Sequence, residues 1–151
     1  MPASIFSKSG CYCITLFTHG QRALLTNGSP YPLRGGPAVP TSIGHAAITT
    51  WQTLLQDLPQ LNTEAFYLMP SSLCIIVSVQ NGAEDTLTLR LLHDAVRRLK
   101  DVTTRRYNSS SAQDYRSRLW QTAFSCKPVA TSGEFAALNQ QMAAQGAYLA
   151  I

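Results

Sequence analysis

The chain has 151 residues, 45% of them apolar and only 13% charged. That is enough to bury a core without disulfides or a structural metal, and it excludes a disordered chain. The four cysteines, Cys11, Cys13, Cys74 and Cys126, form no CxxC pair, so reduced thiols are expected rather than a secreted disulfide framework. No apolar run approaches the length of a membrane-spanning helix. The first residues lack the basic, apolar and small-residue succession of a secretory leader, so one domain over residues 1–151 in the cytoplasm is the expectation.

The net charge of +4 is concentrated in one region. Between positions 90 and 118, eight basic residues (Arg90, Arg97, Arg98, Lys100, Arg105, Arg106, Arg116 and Arg118) face three acids, Asp94, Asp101 and Asp114, for a local net charge of +5. The remainder of the chain is near neutral. A basic zone on a neutral body is the pattern of a phosphate-binding face, and its bland counterpart is an ordinary solvated helix.

In chain order, Tyr12 to Thr18 alternates as a first strand, which His19-Gly20 ends. Residues 26–40, rich in Gly, Pro, Ser and Asn, read as a loop or short irregular hairpin; Gly35-Gly36 is followed by no GK[ST], so it is no phosphate loop. Thr41 or Ser42 caps a helix with the stripe Ile48, Trp51, Leu54, Leu55 and Leu58, stopped by Pro59. Two strands, about 64–69 and 73–79, follow around a Pro70 turn. Both are apolar on successive residues, as central strands covered by helices are.

A long helix is expected from about Thr86 to Arg106, with Leu89, Leu92, Val96, Leu99 and Val102 as its core stripe. A polar connection opens at Ser109-Ser110-Ser111, and an extended segment runs from Leu119 to Val129. Thr131-Ser132-Gly133-Glu134 is a capping box, with Phe135, Leu138 and Met142 as the stripe of a final helix and Gly146 near its end. The order predicts an α+β fold, a ferredoxin-like antiparallel sheet with helices packed on one face.

Several segments together resemble one family. Met69-Pro70-Ser71-Ser72-Leu73-Cys74 and the aliphatic residues after it are similar to the signature strand of the single-tyrosine transposases in their REP-associated branch, usually Met-Pro-Asn-His-hydrophobe-His. Cys11 to Thr18 resembles the family's first strand. Val96 to Asn108 resembles its helix with a basic pair, Lys and Thr-x-Arg-hydrophobe-Asn, and Leu119-Trp120-Gln121 its hydrophobe-Trp-Gln.

The resemblance implies DNA strand cleavage by a tyrosine hydroxyl, with a divalent ion held by the two histidines. Here Ser72 and Cys74 stand at the histidine positions. An aromatic-acid-His trio falls on Ser125-Cys126-Lys127, and the nucleophile position on Gln141. Tyr148 lies seven residues beyond it, about two helical turns away. Ser72, Cys74, Lys127 and Gln141 are therefore degenerate site positions, with no catalytic residue, metal ligand or cofactor assigned.

The expectation is a degenerate or repurposed transposase-like protein, without strand-cleaving activity. DNA, as a hairpin or single strand, is its expected partner through Arg97, Arg98, Lys100, Arg105, Arg106, Arg116 and Arg118, and a second copy of the chain is the other expected partner. Tyr107 and Tyr115 are candidates either to stack on bases or to serve as half-buried anchors. The alternatives are a non-enzymatic protein-interaction domain, a relic without nucleic-acid binding, and an enzyme rebuilt on Cys74 or Tyr148. A thiolate zinc site from Cys11, Cys13, Cys74 and Cys126 is a minor reading, because buried cysteines are common in sheets. His19, His45 and His93 have no partner at metal-ligand spacing, and Trp51 and Trp120 are expected in the core.

Overall fold

The computed structural model describes residues 10–26, 39–79, 85–110 and 118–150. Its five strands are β1 (Cys11–Phe17), β2 (Leu61–Met69), β3 (Ser72–Val79), β4 (Ser125–Pro128) and β5 (Tyr148–Leu149), and its helices are α1 (Ser42–Gln56), α2 (Asp85–Ser110) and α3 (Ser132–Ala144). The sheet order is β4-β1-β3-β2-β5 with every neighbouring pair antiparallel. This is the α+β, ferredoxin-like arrangement expected from the order of elements. Among the described residues no helix is long and apolar enough to cross a membrane.

Alternation along the central strands assigns the two faces. Ile14 and Leu16 of β1, Phe66 and Leu68 of β2, and Leu73, Ile75, Val77 and Val79 of β3 pack against α1 and α2. Cys11, Cys13, Ala65, Tyr67, Cys74 and Ile76 point the other way, beneath Met142, Phe135 and Leu138 of α3. Helices thus cover one face as expected, while the final helix lies on the other. A shift of register between Thr63 and Ala65 lets β2 keep Leu61 and Thr63 on the α1 side together with Phe66 and Leu68. Without this bulge the strict two-residue period would turn one of these sets away.

Local chemistry sets the ends of the elements. Thr41 caps α1 by accepting from Gly44 N at 3.1 Å, and its hydroxyl donates to Leu24 O at 2.6 Å. Pro70 O accepts from Leu24 N and Leu25 N, and Ser71 O from Thr18 N, so the β2–β3 turn is fastened to the segment after β1. Thr131 caps α3 by accepting from Glu134 N at 3.1 Å, and the Glu134 carboxylate accepts from Ala130 N. Gly146 ends that helix with φ +74°, a left-handed conformation glycine adopts freely.

The core face of α2 departs from the expected stripe. Leu92, Ala95, Val96, Leu99, Thr103 and Tyr107 are buried, whereas Leu89 and Val102 are 41% and 39% exposed. Thr103 takes an inner position because its hydroxyl is fully paired: it donates to Leu99 O at 2.7 Å and accepts from the Trp120 indole at 2.8 Å. Trp51 is likewise buried, donating to Thr63 Oγ1 at 2.8 Å. Both tryptophans are core residues, as expected. The segment from Leu119 to Val129 is extended only in part, with a bridge from Thr18 to Trp120 and then the four residues of β4.

Two substitutions test these contacts by chemical denaturation. A Cβ on Gly44 would stand 2.2 Å from Leu25 O, a backbone atom, so Gly44→Ala is expected to destabilise by about 1–3 kcal/mol despite alanine's better helix propensity. Thr103→Val leaves the buried Trp120 N–H without its acceptor and is expected to cost about 1–3 kcal/mol, part of which Trp120→Phe in the same chain restores.

Candidate nucleic-acid interface

The exposed side of α2 carries the basic residues because the apolar stripe turns the other side to the sheet. Arg97, Arg98, Arg105 and Arg106 are exposed, interrupted by Asp101 and the half-buried Asp94. Asp94 holds Arg97 at 2.8 Å and Arg98 at 3.5 Å. Such surface pairs contribute roughly 0–1 kcal/mol, so a phosphate oxygen can replace the carboxylate at small cost. Arg105 Nε donates weakly to the helix carbonyl of Asp101 at 3.4 Å.

Lys100 has a different task. Its ammonium donates to Gln121 O at 2.9 Å and Thr122 O at 3.0 Å and lies 5.5 Å from the centre of the Phe124 ring. Burial lowers its pKa. It fastens the segment after α2 to the helix. Arg118 donates to Thr122 Oγ1 at 3.0 Å in the same segment. Arg116 and Tyr115 lie outside the described residues, as does Asp114. Beside the arginine row, an open groove of about 1030 Å³ is lined by Arg90, His93, Arg97, Lys100, Phe124 and neighbouring apolar residues. His93 meets Phe124 edge to face, with ring centres 4.9 Å apart.

Arg22, which charge counting leaves out because it lies far from the basic zone in sequence, joins these parts. It donates to His19 O at 3.1 Å, to the Tyr107 hydroxyl at 3.0 Å and to Arg118 O, with its guanidinium 5.8 Å from the Tyr107 ring centre. Tyr107 is therefore a buried anchor of the end of α2 and is not displayed for base stacking. The sequence signal for this contact is the basic residue straight after the first strand and its turn.

The opposite sheet face holds Ser72, Cys74 and Lys127, three of the four positions that the resemblance singles out. Ser72 and Cys74 of β3 are 4% and 0% exposed. Lys127 of β4 pairs with Cys13 and so lies on this face, exposed at its edge. Gln141 is exposed on α3, where its neighbour Met142 turns to the sheet instead. The Cys74 and Cys13 sulfurs are 3.1 Å apart. That hydrogen bond, together with burial, holds the Cys74 thiol protonated, and the same bond lowers the pKa of Cys13 with help from the Lys127 charge. Burial, aided by Glu64, pushes Cys11 up to about 11.

A divalent ion does not fit here. A hydroxyl, a protonated thiol engaged with its neighbour, and a nearby ammonium make a poor donor set for a hard cation. The four cysteines are not brought together either. Cys126 pairs with Ile14 and faces α1 and α2, and Cys11 lies opposite Ser78, four positions along β3 from Cys74, about 13 Å. Among the described residues no three His, Cys, Asp or Glu side chains are grouped to hold a metal. Tyr148 pairs with Leu68 and packs with the α1–α2 face, so the sheet separates it from Cys74.

No protein-family model matches the chain, and no curated protein matches it in sequence. Solved structures do. A REP-associated tyrosine transposase bound to a REP hairpin superposes with a TM-score of 0.61 at 14% identity, over 91% of this chain and 66% of that one. A candidate transposase from Deinococcus radiodurans R1 superposes with a TM-score of 0.51 at 15% identity, over 89% of each chain. The chain thus spans just under two thirds of the hairpin-bound transposase, and at these identities the likeness establishes the fold: it is transposase-like.

Proposed function

We propose that this chain is a degenerate or repurposed relative of the single-tyrosine transposases that binds DNA, as a hairpin or single strand, without metal-dependent strand cleavage. The observation that carries the reading is the exposed arginine row of α2, Arg97, Arg98, Arg105 and Arg106, on a helix otherwise anchored by its apolar side. Arg98 and Arg105, seven residues apart, share one helix side, with Arg97 and Arg106 flanking it; guanidinium groups so placed can meet phosphates of a backbone, and neutralising them releases counterions. Lys100 and Arg118 support the interface by fixing the segment beyond the helix, and Arg116 extends it in sequence. The hairpin bound by the transposase of similar fold agrees with this partner class. The loss of activity rests on Ser72, Cys74, Lys127 and Gln141, which supply neither a metal-binding pair nor a nucleophile at the matching positions.

A gel-shift titration with a DNA hairpin and a single strand, at several salt concentrations, tests the binding. Affinity is expected to fall linearly with log salt. Arg105→Glu with Arg106→Glu is expected to weaken binding by at least tenfold at low salt and to flatten the salt slope by about 1–2. Salt-independent absence of binding would instead favour a protein-interaction domain or a relic. Incubation of the same DNA with Mg²⁺ or Mn²⁺ is expected to yield neither cleaved strand nor covalent tyrosine–DNA adduct; an adduct would place a working nucleophile outside the positions compared above.

A further inference from the structure

We infer that Cys13 and Cys74 form a redox-active dithiol, which a peroxide closes to an intramolecular disulfide across the β1–β3 pair. Their sulfurs stand 3.1 Å apart in the buried layer beneath α3. Cys13 lies opposite Ile76 and Cys74 opposite Thr15, so the two are diagonal neighbours on adjacent antiparallel strands. Diagonal Cα atoms in such a pair are about 7–8 Å apart, beyond the separation a disulfide ordinarily spans, so closure draws the two strands slightly together, while the side chains are already turned towards each other. Closing the remaining gap takes about 1 Å of sulfur movement, given a bond length of about 2.0 Å. The other thiols do not compete: Cys11 lies at the far end of the pairing and Cys126 on the other face.

The two cysteines divide the chemistry. Cys13 is the more accessible, at 9% exposed against 0% for Cys74, and the hydrogen bond with Cys74, helped by Lys127 on the adjoining strand, favours its thiolate. Its sulfur attacks one peroxide oxygen, the O–O bond breaks, and the leaving oxygen departs as water after taking up a proton, which leaves a sulfenic acid on Cys13. Cys74 then gives up its proton as its sulfur attacks the Cys13 sulfur; the S–O bond breaks and the oxygen leaves as a second water. Two thiols and one hydrogen peroxide become one disulfide and two waters. Access requires α3 to move, which frees few contacts: Met142 is the one residue of that helix buried against the sheet, Phe135 and Leu138 are half-buried beside it, and the Tyr67 hydroxyl donates to Asn139 Oδ1.

The test uses the native full chain. After treatment with hydrogen peroxide the protein is denatured in an alkylating agent and digested without reduction. The number of alkylatable thiols is expected to fall from four to two, with a peptide pair joining Cys13 to Cys74 in monomeric protein and full recovery on reduction. Cys13→Ser and Cys74→Ser should each abolish the bridge, while Cys11→Ser and Cys126→Ser retain it. The wild-type map alone decides the matter if a variant fails to fold. Four thiols surviving the treatment, a bridge through Cys11 or Cys126, a bridge between two chains, or sulfinic acid at Cys13 with Cys74 still free would each overturn the inference.

Discussion

Both faces of β3 are buried, and the rest of the architecture follows from that constraint. Every residue from Ser72 to Val79 is inaccessible, so odd positions need one apolar layer and even positions another. α1 and α2 supply the first, with Trp51, Leu92, Val96 and Leu99 over Leu73, Ile75, Val77 and Val79. α3 supplies the second, over Cys74 and Ile76. At about 25 cal/mol per Å², such burial is the main favourable term available to a chain of this size, and it fixes register because a slip of one residue would exchange the two layers. The turn at Pro70-Ser71 is held by backbone bonds from Thr18, Leu24 and Leu25, so the centre of the sheet and the entry to α1 form one unit.

Much of this was legible in the residues, and the exceptions have physical causes. Caps at Thr41 and Thr131, the Pro70 turn and the doubly apolar strands are local signals, and they place the elements within a few residues. The position of α3 is not local. Its stripe of Phe135, Leu138 and Met142 says only that one side is apolar, and which sheet face receives it depends on where β4 delivers the chain. β5 is a two-residue pairing at the sheet edge, too short to show a period. The bulge at Glu64 interrupts the alternation by which β2 would be recognised, which is why the residues predict a strand only from 64 although it begins at Leu61. On α2 the buried side follows Thr103 and Tyr107, polar residues whose partners, Trp120 and Arg22, are 17 and 85 residues away.

The candidate interface shows the same division. The arginine row could be read from charge and period alone, because exposed cations on a helix need no partner to be placed. What could not be read was the sorting of the cations by task. Lys100 and Arg22 carry the same charge as Arg105, yet each is committed to backbone carbonyl oxygens, those of Gln121 and Thr122 for Lys100 and of His19 and Arg118 for Arg22. A cation with two or three protein acceptors has lost the freedom that makes it a phosphate ligand, and one with only solvent and a weak surface carboxylate has kept it. Charge counts therefore overstate the contact surface, while geometry divides it into groups that hold the scaffold and groups that face outward.

The sheet separates two chemically distinct sides. On the α2 side the exposed groups are hard, charged donors suited to phosphate oxygens. On the α3 side the buried groups are soft: three cysteines and Met142 share a layer with Tyr67 and Ile76. Histidines at 72 and 74 would need solvent access and open coordination positions to serve a metal, whereas the residues present need neither, and a core has closed over them. Cys74 shares a buried layer with Met142 of α3, and Ser72 is buried on the same strand. Small side chains at 72 and 74 suit a buried face, because a buried imidazole pair without metal would leave polar nitrogens unsatisfied. Thiols avoid that penalty, since they pack as apolar groups and bond to one another, and they keep a reactivity that the apolar layer around them conceals only while α3 stays seated.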